Sequence, residues 1–301
     1  MEDLIQSNYS SGKATGPQVF QFSDYAAGAG EKLHVGTFED ALRLRKNRQR
    51  PHRHDFYQIF WLRHEAPSFN IDFYHFPIET DALVFVPPGA VHNFGELKAA
   101  EGFILSFQED FLEGEGHSVD LFAECPPIDP AQSRTVLAVP ASSVNIVQGY
   151  CSRMFEELRD KREGYRTVTA ALLRLLFVEI RRCLSNQPAP SFFHKYSSLT
   201  ARFLRMLNAR PYQLTTASEV AKFLGVSRSW LNQLVRMETG KNLTDHLRSR
   251  LILESKRLLA HSDLNVSEIA YQLGFEDPSY FTRLFRQVAG QSPREFREGY
   301  R

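Results

Sequence analysis

The stretch SEVAKFLGV, Ser218 to Val226, returns almost unchanged as SEIAYQLGF, Ser267 to Phe275, 49 residues later. Each copy opens with a capping residue and a glutamate three positions on, Thr216 with Glu219 and Asn265 with Glu268. That pair of side chains satisfies the first free N–H groups of a helix. Each copy also sets an alanine four residues before a glycine, Ala221 before Gly225 and Ala270 before Gly274. A small side chain lets two helices cross closely, and glycine tolerates the positive φ of the turn between them. The spacing therefore predicts a short helix, a tight turn and a second helix, twice over. The second helices correspond too, WLNQLVR from Trp230 and YFTRLFR from Tyr280, now 50 residues apart because the FEDPS turn is one residue longer.

Within those second helices Trp230, Leu231, Leu234, Tyr280, Phe281, Leu284 and Phe285 read as a core-facing stripe. The stripe leaves Ser229, Asn232, Gln233 and Arg236 free in the first copy, and Ser279, Thr282, Arg283 and Arg286 in the second. Amide and guanidinium groups suit bidentate contacts to adenine and guanine edges in the major groove of DNA. Charge agrees with that use. The chain carries a net +1, but from Lys195 onward 17 Lys+Arg face 10 Asp+Glu, a net +7, which leaves −6 for the remainder. A basic end expects a polyanion. Between the copies, NLTDHLRSRLILESKRLL from Asn242 has leucines at helical spacing and would span about 27 Å at 1.5 Å per residue. The major groove repeats about every 34 Å, so one chain can present two recognition helices to one face of a duplex.

The preceding sequence has a different texture. From about Pro51 to Phe107, aromatic and β-branched runs such as FYQIFWL, FNIDFYHF, ALVFVPPG and GFILSF alternate with Pro, Gly, Asn and Asp, as strands of an antiparallel sheet do. From Ala141 apolar residues recur every three or four positions through two amphipathic helices. The second, Thr167 to Leu184, carries the stripe Leu173, Leu176, Phe177, Ile180 and Leu184, which suits either a partner helix or the core of its own domain. SNQPAPSFFHKYSS then reads as a linker. The chain of 301 residues is 43% hydrophobic and 24% charged, with no uninterrupted apolar span and no signal-like N-terminus, so a cytoplasmic protein without membrane contact is expected. Cys125, Cys151 and Cys183 lie far apart and suggest neither a disulfide framework nor a zinc site. No nucleophile triad, phosphate loop or paired carboxylate marks a catalytic site, and no enzyme is expected.

The segment from about Tyr196 to Arg301 resembles the DNA-binding domain of the AraC/XylS family of transcription regulators. SRSWLNQLVRMETGKNLTDHLRSRLILESKRLL, VSEIAYQLGF and SPREFR follow its signature in order and spacing. The resemblance implies base-reading positions at Ser229, Trp230, Asn232, Gln233, Pro278, Ser279, Thr282 and Arg283. Pro278 lacks an N–H and is better suited to starting its helix than to reading a base. The implied organisation is α+β: an N-terminal arm (1–20), a cupin-like effector-binding barrel (21–140), dimerisation helices (141–185) and a linker (186–195). An all-α DNA-binding domain (196–301) follows, with helix-turn-helix motifs at 216–236 and 265–286.

PHRHDFYQIFWL and VPPGAVHNF are similar to the two motifs of cupins, which in enzymes supply three histidines and a glutamate to a metal. Here His52, His54 and His92 are in place, but Gln58 or Ile59 stands where the glutamate would, so neither metal nor other cofactor is expected. The effector-binding candidates are His52, His54, Tyr57, Trp61, Arg63 and His92. PHRHDFYQIFWL further resembles a subgroup that activates catabolic genes in response to hydroxybenzoate-like or hydroxyphenylacetate-like acids, implying an aromatic-acid effector. The expected protein is an activator that binds double-stranded DNA as a homodimer through the Leu173 to Leu184 stripe and works with RNA polymerase. The competing reading is a metal-dependent cupin enzyme, or a metal sensor, fused to a DNA-binding module.

Overall fold

The computed structural model describes residues 16–24, 31–44, 50–63, 66–78, 81–94, 100–108, 111, 135–185, 197–209 and 216–300. Most of the expected arm, the 186–195 linker and Cys125 lie outside them. Two compact units result, one of Val19–Arg210 and one of Met1–Gln18 with Pro211–Arg301.

The first unit is built on ten strands: β1 (Gln18–Phe20), β2 (Leu33–Thr37), β3 (His52–His54), β4 (Tyr57–Arg63), β5 (Ala66–Ile71), β6 (Tyr74–Ile78), β7 (Ala82–Val86), β8 (His92–Phe94), β9 (Glu101–Phe107) and β10 (Val136–Ala138). They form two five-stranded sheets, ordered β1-β3-β8-β5-β6 and β10-β7-β4-β9-β2. The expected closed barrel is thus, among the described residues, a pair of facing sheets. Helix α1 (Phe38–Leu44) follows β2, and α2 (Ala141–Asp160), α3 (Tyr165–Ser185) and α4 (Ser198–Ala209) come after the strands.

Period-2 alternation along β4 builds two cores from one strand. Phe60 and Leu62 point toward the other sheet and pack with Phe38, Phe69, Ile71 and Phe94. Ile59 and Trp61 point the other way and pack with Leu83, Phe103 and Leu105 against α2 and α3. Antiparallel pairing fixes the register, with Trp61 opposite both Leu83 and Phe103. The Trp61 indole N–H donates to Gln148 Oε1 of α2 at 2.7 Å, so the sheet's outer face is tied to the helix layer by a hydrogen bond as well as by packing.

The α3 stripe is a core face, which corrects the expectation of a dimer seam there. Leu173, Leu176 and Ile180 are fully buried and Phe177 nearly so, all against the chain's own sheet and α2, with Leu184 packed at the edge. Periodicity identified a buried face; the sheet supplies its partner. Cys151 and Cys183 are buried free thiols, and burial pushes both thiols up from their usual range.

The second unit is helical: α5 (Ala217–Phe223), α6 (Arg228–Thr239), α7 (Leu243–His261), α8 (Val266–Gln272), α9 (Pro278–Ala289) and α10 (Pro293–Tyr300). No helix among the described residues is long and apolar enough to cross a membrane.

Leu176→Ala should cost about 2–5 kcal/mol of stability, the usual range for emptying a buried leucine site, without altering oligomeric state. Leu176→Arg with Ile180→Arg should abolish soluble folded protein. Denaturant unfolding and sedimentation of both variants check this, and a folded, monomeric double arginine variant would restore the seam reading.

Candidate nucleic-acid interface

Both helix-turn-helix units are assembled by the predicted local chemistry. The Thr216 side chain accepts from the Glu219 N–H while Glu219 accepts from the Thr216 N–H, and Asn265 with Glu268 repeats the pair. Backbone N–H bonds hold the Glu219 carboxyl below its usual range. Gly225 and Gly274 turn the chain at φ of 73° and 90°, a region that disfavours side chains. Ala221 and Ala270 are buried where the helices of each pair cross. Ser227 caps α6 by accepting from the Trp230 N–H, and Asp277 caps α9 by accepting from Ser279 and Tyr280. Pro278 is the first residue of α9, as its fixed φ favours. The Ser279 N–H is the main reason the Asp277 carboxyl is held below its usual range, and Arg283, 4.0 Å away, adds to it.

The core of each unit takes Leu231 and Val235 of α6, and Phe281, Leu284 and Phe285 of α9. Trp230 and Tyr280 do not join it, contrary to the stripe reading: they are 51% and 48% exposed. A helix turns about 100° per residue, so the position before Leu231 or Phe281 falls on the rim of the buried face. Ser229, Gln233 and Arg236 in α6, with Ser279, Arg283 and Arg286 in α9, are exposed on the outward side. Each copy therefore presents a serine, an aromatic, a long polar side chain and an arginine in the same places.

Two of the predicted readers are already occupied. The Leu243 N–H at the start of α7 donates to Asn232 Oδ1 at 3.1 Å, which removes half of a bidentate contact to adenine. Thr282 donates its hydroxyl to the Pro278 carbonyl at 3.0 Å. The contrast has a simple origin, since the residue matching Leu243 in the second copy is Pro293, which has no N–H to satisfy.

The repeat also runs further than the opening motifs indicate. Gly240 and Gly290 end α6 and α9 in left-handed conformations, after which Asn242 and Ser292 cap α7 and α10. The third helix thus belongs to each repeat. A groove of about 590 Å³ lies between α6 and the start of α7, lined in part by Arg228, Arg236 and Arg248. Sequence reasoning passed over Arg228 and Arg248; extending the repeat alignment into GKNLTD and GQSPRE could have found them.

The effector candidates divide between two faces. His52, His54 and His92 lie together on the inner side of their sheet, with ring centroids 4.4 Å apart for His52 and His92 and 4.8 Å for His54 and His92. Tyr57, Trp61 and Arg63 point from β4 toward the helix layer, where Tyr57 and Trp61 pack and Arg63 pairs with Asp81 at 2.9 Å. One interior site cannot use both sets, because odd and even residues of a strand face opposite sides.

Nδ1 of His54 and of His92 donates to a backbone carbonyl, of Phe56 and Ala90 respectively, which leaves each Nε2 as an acceptor, and His52 Nδ1 donates to the Arg50 carbonyl. Burial first, and then the neighbouring His52, lowers His54 to about 3 and holds His92 well below its usual range. Gln58 lies within hydrogen-bonding reach of His54 and 3.0 Å from Ser106 Oγ. With its amide nitrogen toward His54 and its oxygen toward Ser106, both His54 Nε2 and Gln58 Oε1 gain partners. His92 Nε2 remains without one. These residues do not fit a cupin metal: a carboxamide already engaged by its neighbours replaces the carboxylate. Among the described residues, no group of three His, Cys, Asp or Glu is placed to hold an ion.

A pair of helix-turn-helix units with outward polar faces defines a DNA-binding domain. Residues 220–299 match the family model described as a helix-turn-helix domain. Among curated relatives, the HTH-type transcriptional activator RhaR of Yersinia pseudotuberculosis is 26% identical over 186 residues, 58% of this chain and 60% of RhaR. RhaR of Cronobacter sakazakii is 43% identical over 68 residues, 23% of this chain and 24% of that protein. The chain thus spans about three-fifths of the length of the first curated relatives it matches. Among solved structures, the DNA-binding domain of AdpA in complex with a target DNA is 28% identical with a TM-score of 0.32, covering 35% of this chain and 95% of that one. Fatty-acid-bound ToxT from Vibrio cholerae is 12% identical with a TM-score of 0.37, covering 89% and 91%.

Asn232→Ala should cost about 1 kcal/mol of stability, the worth of one hydrogen bond, while largely preserving base preference. Denaturation and site selection with the variant check the two halves. Acid should weaken the first unit: between about 6.5 and about 3 the unfolded chain binds a proton at the His54 position that the fold refuses, so stability falls as pH drops through that window. The denaturation midpoint followed at buried Trp61 should fall from about pH 7 to about pH 5, and a rise would contradict the assignment.

Proposed function

We propose that the chain is a sequence-specific DNA-binding transcription regulator, an activator, that reads two successive major-groove segments with α6 and α9. The observation that carries this reading is the repetition of one outward set, Ser229, Trp230, Gln233 and Arg236 against Ser279, Tyr280, Arg283 and Arg286, on two 12-residue helices that each end in a left-handed glycine. The activator relatives support the regulatory part. Homodimerisation and contact with RNA polymerase belong to the same proposal, with the dimer formed through a surface other than the buried α3 stripe.

Control by a small molecule in the first unit completes the reading. The His92 imidazole, held neutral by burial and with an Nε2 that has no partner, accepts a hydrogen bond and offers a carboxylate no charge, while Arg63 faces away and is paired. A ligand reaching His92 from the inner face would therefore bring a hydroxyl or amine donor, which favours a neutral, donor-bearing effector over an aromatic acid. The arm is the proposed link to DNA binding: a Cβ placed on Gly16 would stand 3.5 Å from Leu258 of α7, so this end of the arm rests on the helix joining the two motifs. No observation favours the metal-dependent alternative.

Selection from random duplexes with the full chain should enrich two short elements about 10 base pairs apart, one helical turn. Arg283→Ala should then cost about 1–3 kcal/mol on the selected site and relax choice at one position. Absence of enrichment would overturn the proposal.

A further inference from the structure

The groove between α6 and α7 divides the two repeats in a way their shared fold does not. Arg228, Arg236 and Arg248 line it, and none of the three makes an ion pair or side-chain hydrogen bond among the described residues. Asp245 is the one carboxylate in the lining, so the groove carries a net +2. Arg228 and Asn232 lie on the flank of α6 that faces α7, beside the outward face that holds Ser229 and Gln233. A helix inserted into the major groove has strand backbones along its flanks, and guanidinium groups match phosphate oxygens in a bidentate fork.

Fifty residues later the same positions hold Pro278 for Arg228, Arg286 for Arg236 and Glu298 for Arg248. Arg294, which replaces Thr244, is tied to Glu298 at 2.8 Å. Only Arg286 keeps its counterpart's charge. Across whole repeats the difference is large: residues 216–250 carry six Lys+Arg and three Asp+Glu, a net +3, whereas residues 265–300 carry four and five, a net −1. Glu276 and Asp277 even place two carboxylates at the entry to α9.

We propose that the groove lined by Arg228, Arg236 and Arg248 is a binding site for phosphodiester groups of DNA, and that the two repeats contribute unequally. The first repeat supplies most of the sequence-independent, salt-sensitive grip on the backbone. The second supplies base choice with little backbone affinity of its own. This rests on the DNA-binding reading above and adds to it which residues take the backbone.

Non-specific binding tests the division without knowledge of the operator. The full chain is titrated onto a labelled 30-base-pair duplex of random sequence across a potassium chloride series. Arg228→Gln with Arg248→Gln should reduce the slope of log affinity against log salt by about 2, at about 0.9 for each phosphate that is no longer neutralised, and leave the bases preferred in site selection unchanged. Arg294→Gln should leave the slope as it is. Glu298→Arg, which restores a cation and frees Arg294, should steepen it by about 1 or more. Circular dichroism confirms that each variant folds, and the two single changes replace the double one if it does not. An unchanged slope in the Arg228 and Arg248 variants, a shift in their preferred bases, or an equal loss in Arg294→Gln overturns the inference alone. Failure of the unaltered chain to bind or enrich any duplex overturns the DNA-binding reading instead.

Discussion

Helix α7 is the constraint on which the C-terminal unit depends. It contacts α5, α6, α8, α9 and α10, so each recognition helix takes its position from the same rod. Its 19 residues span about 28 Å at 1.5 Å each, which fixes the separation of the two motifs along a duplex. Leu243, Leu247, Leu251, Leu258 and Leu259 are buried along it, and so are Arg250, Glu254 and Arg257. Glu254 stands 3.5 Å from Arg250 and 3.0 Å from Arg257. Buried charges are costly to desolvate, and removing one member strands the others, so the triad penalises any packing of α7 in which these groups do not meet. A connector free to rotate or slide could not keep two helices in register with a groove.

Against that fixed frame, the repeats agree wherever the backbone makes demands and differ wherever the surface is free. Capping pairs, turn glycines, crossing alanines and left-handed helix ends coincide at offsets of 49 or 50. Charge does not. Even the internal substitutions are coupled: Pro293 needs no partner for an absent N–H, and Thr282 can then replace an asparagine whose oxygen the first repeat uses for Leu243. Asn232 is thus a positioning residue for α7 as much as a candidate for contact with a base.

Features decided within a few residues were legible in the sequence. The caps, both turns, the start of α9 at Pro278 and the strand-rich texture before Phe107 all follow from near-neighbour chemistry. What escaped depends on partners distant in sequence. The α3 stripe announces a buried face but not that a sheet of the same unit covers it. Strands β1, β3, β8 and β10 have three residues each, too short for alternation to register. Tyr57, Trp61 and Arg63 share the motif PHRHDFYQIFWL with His52 and His54, or directly follow it, and only the parity of β4 separates them from the histidine cluster. Trp230 and Tyr280 sit at the rim of a periodic stripe, where a window of apolar residues cannot tell core from edge.

The unequal charge of the repeats becomes intelligible once the rigidity of α7 is considered. When the first motif engages a duplex, the second is held close to the adjacent groove segment at a high effective concentration, and its binding becomes an intramolecular step. A motif delivered in that way does not need its own attraction to phosphate. Backbone affinity there would add equally to every sequence and dilute the contribution of base contacts to the total. Under the proposed division, carboxylates at Glu276, Asp277 and Glu298 leave the second motif little to gain on a wrong sequence, and its engagement would depend on what Arg283 and its neighbours find in the groove. The low charge of the second repeat is then a means of discrimination, and the rod between the motifs is what makes it workable.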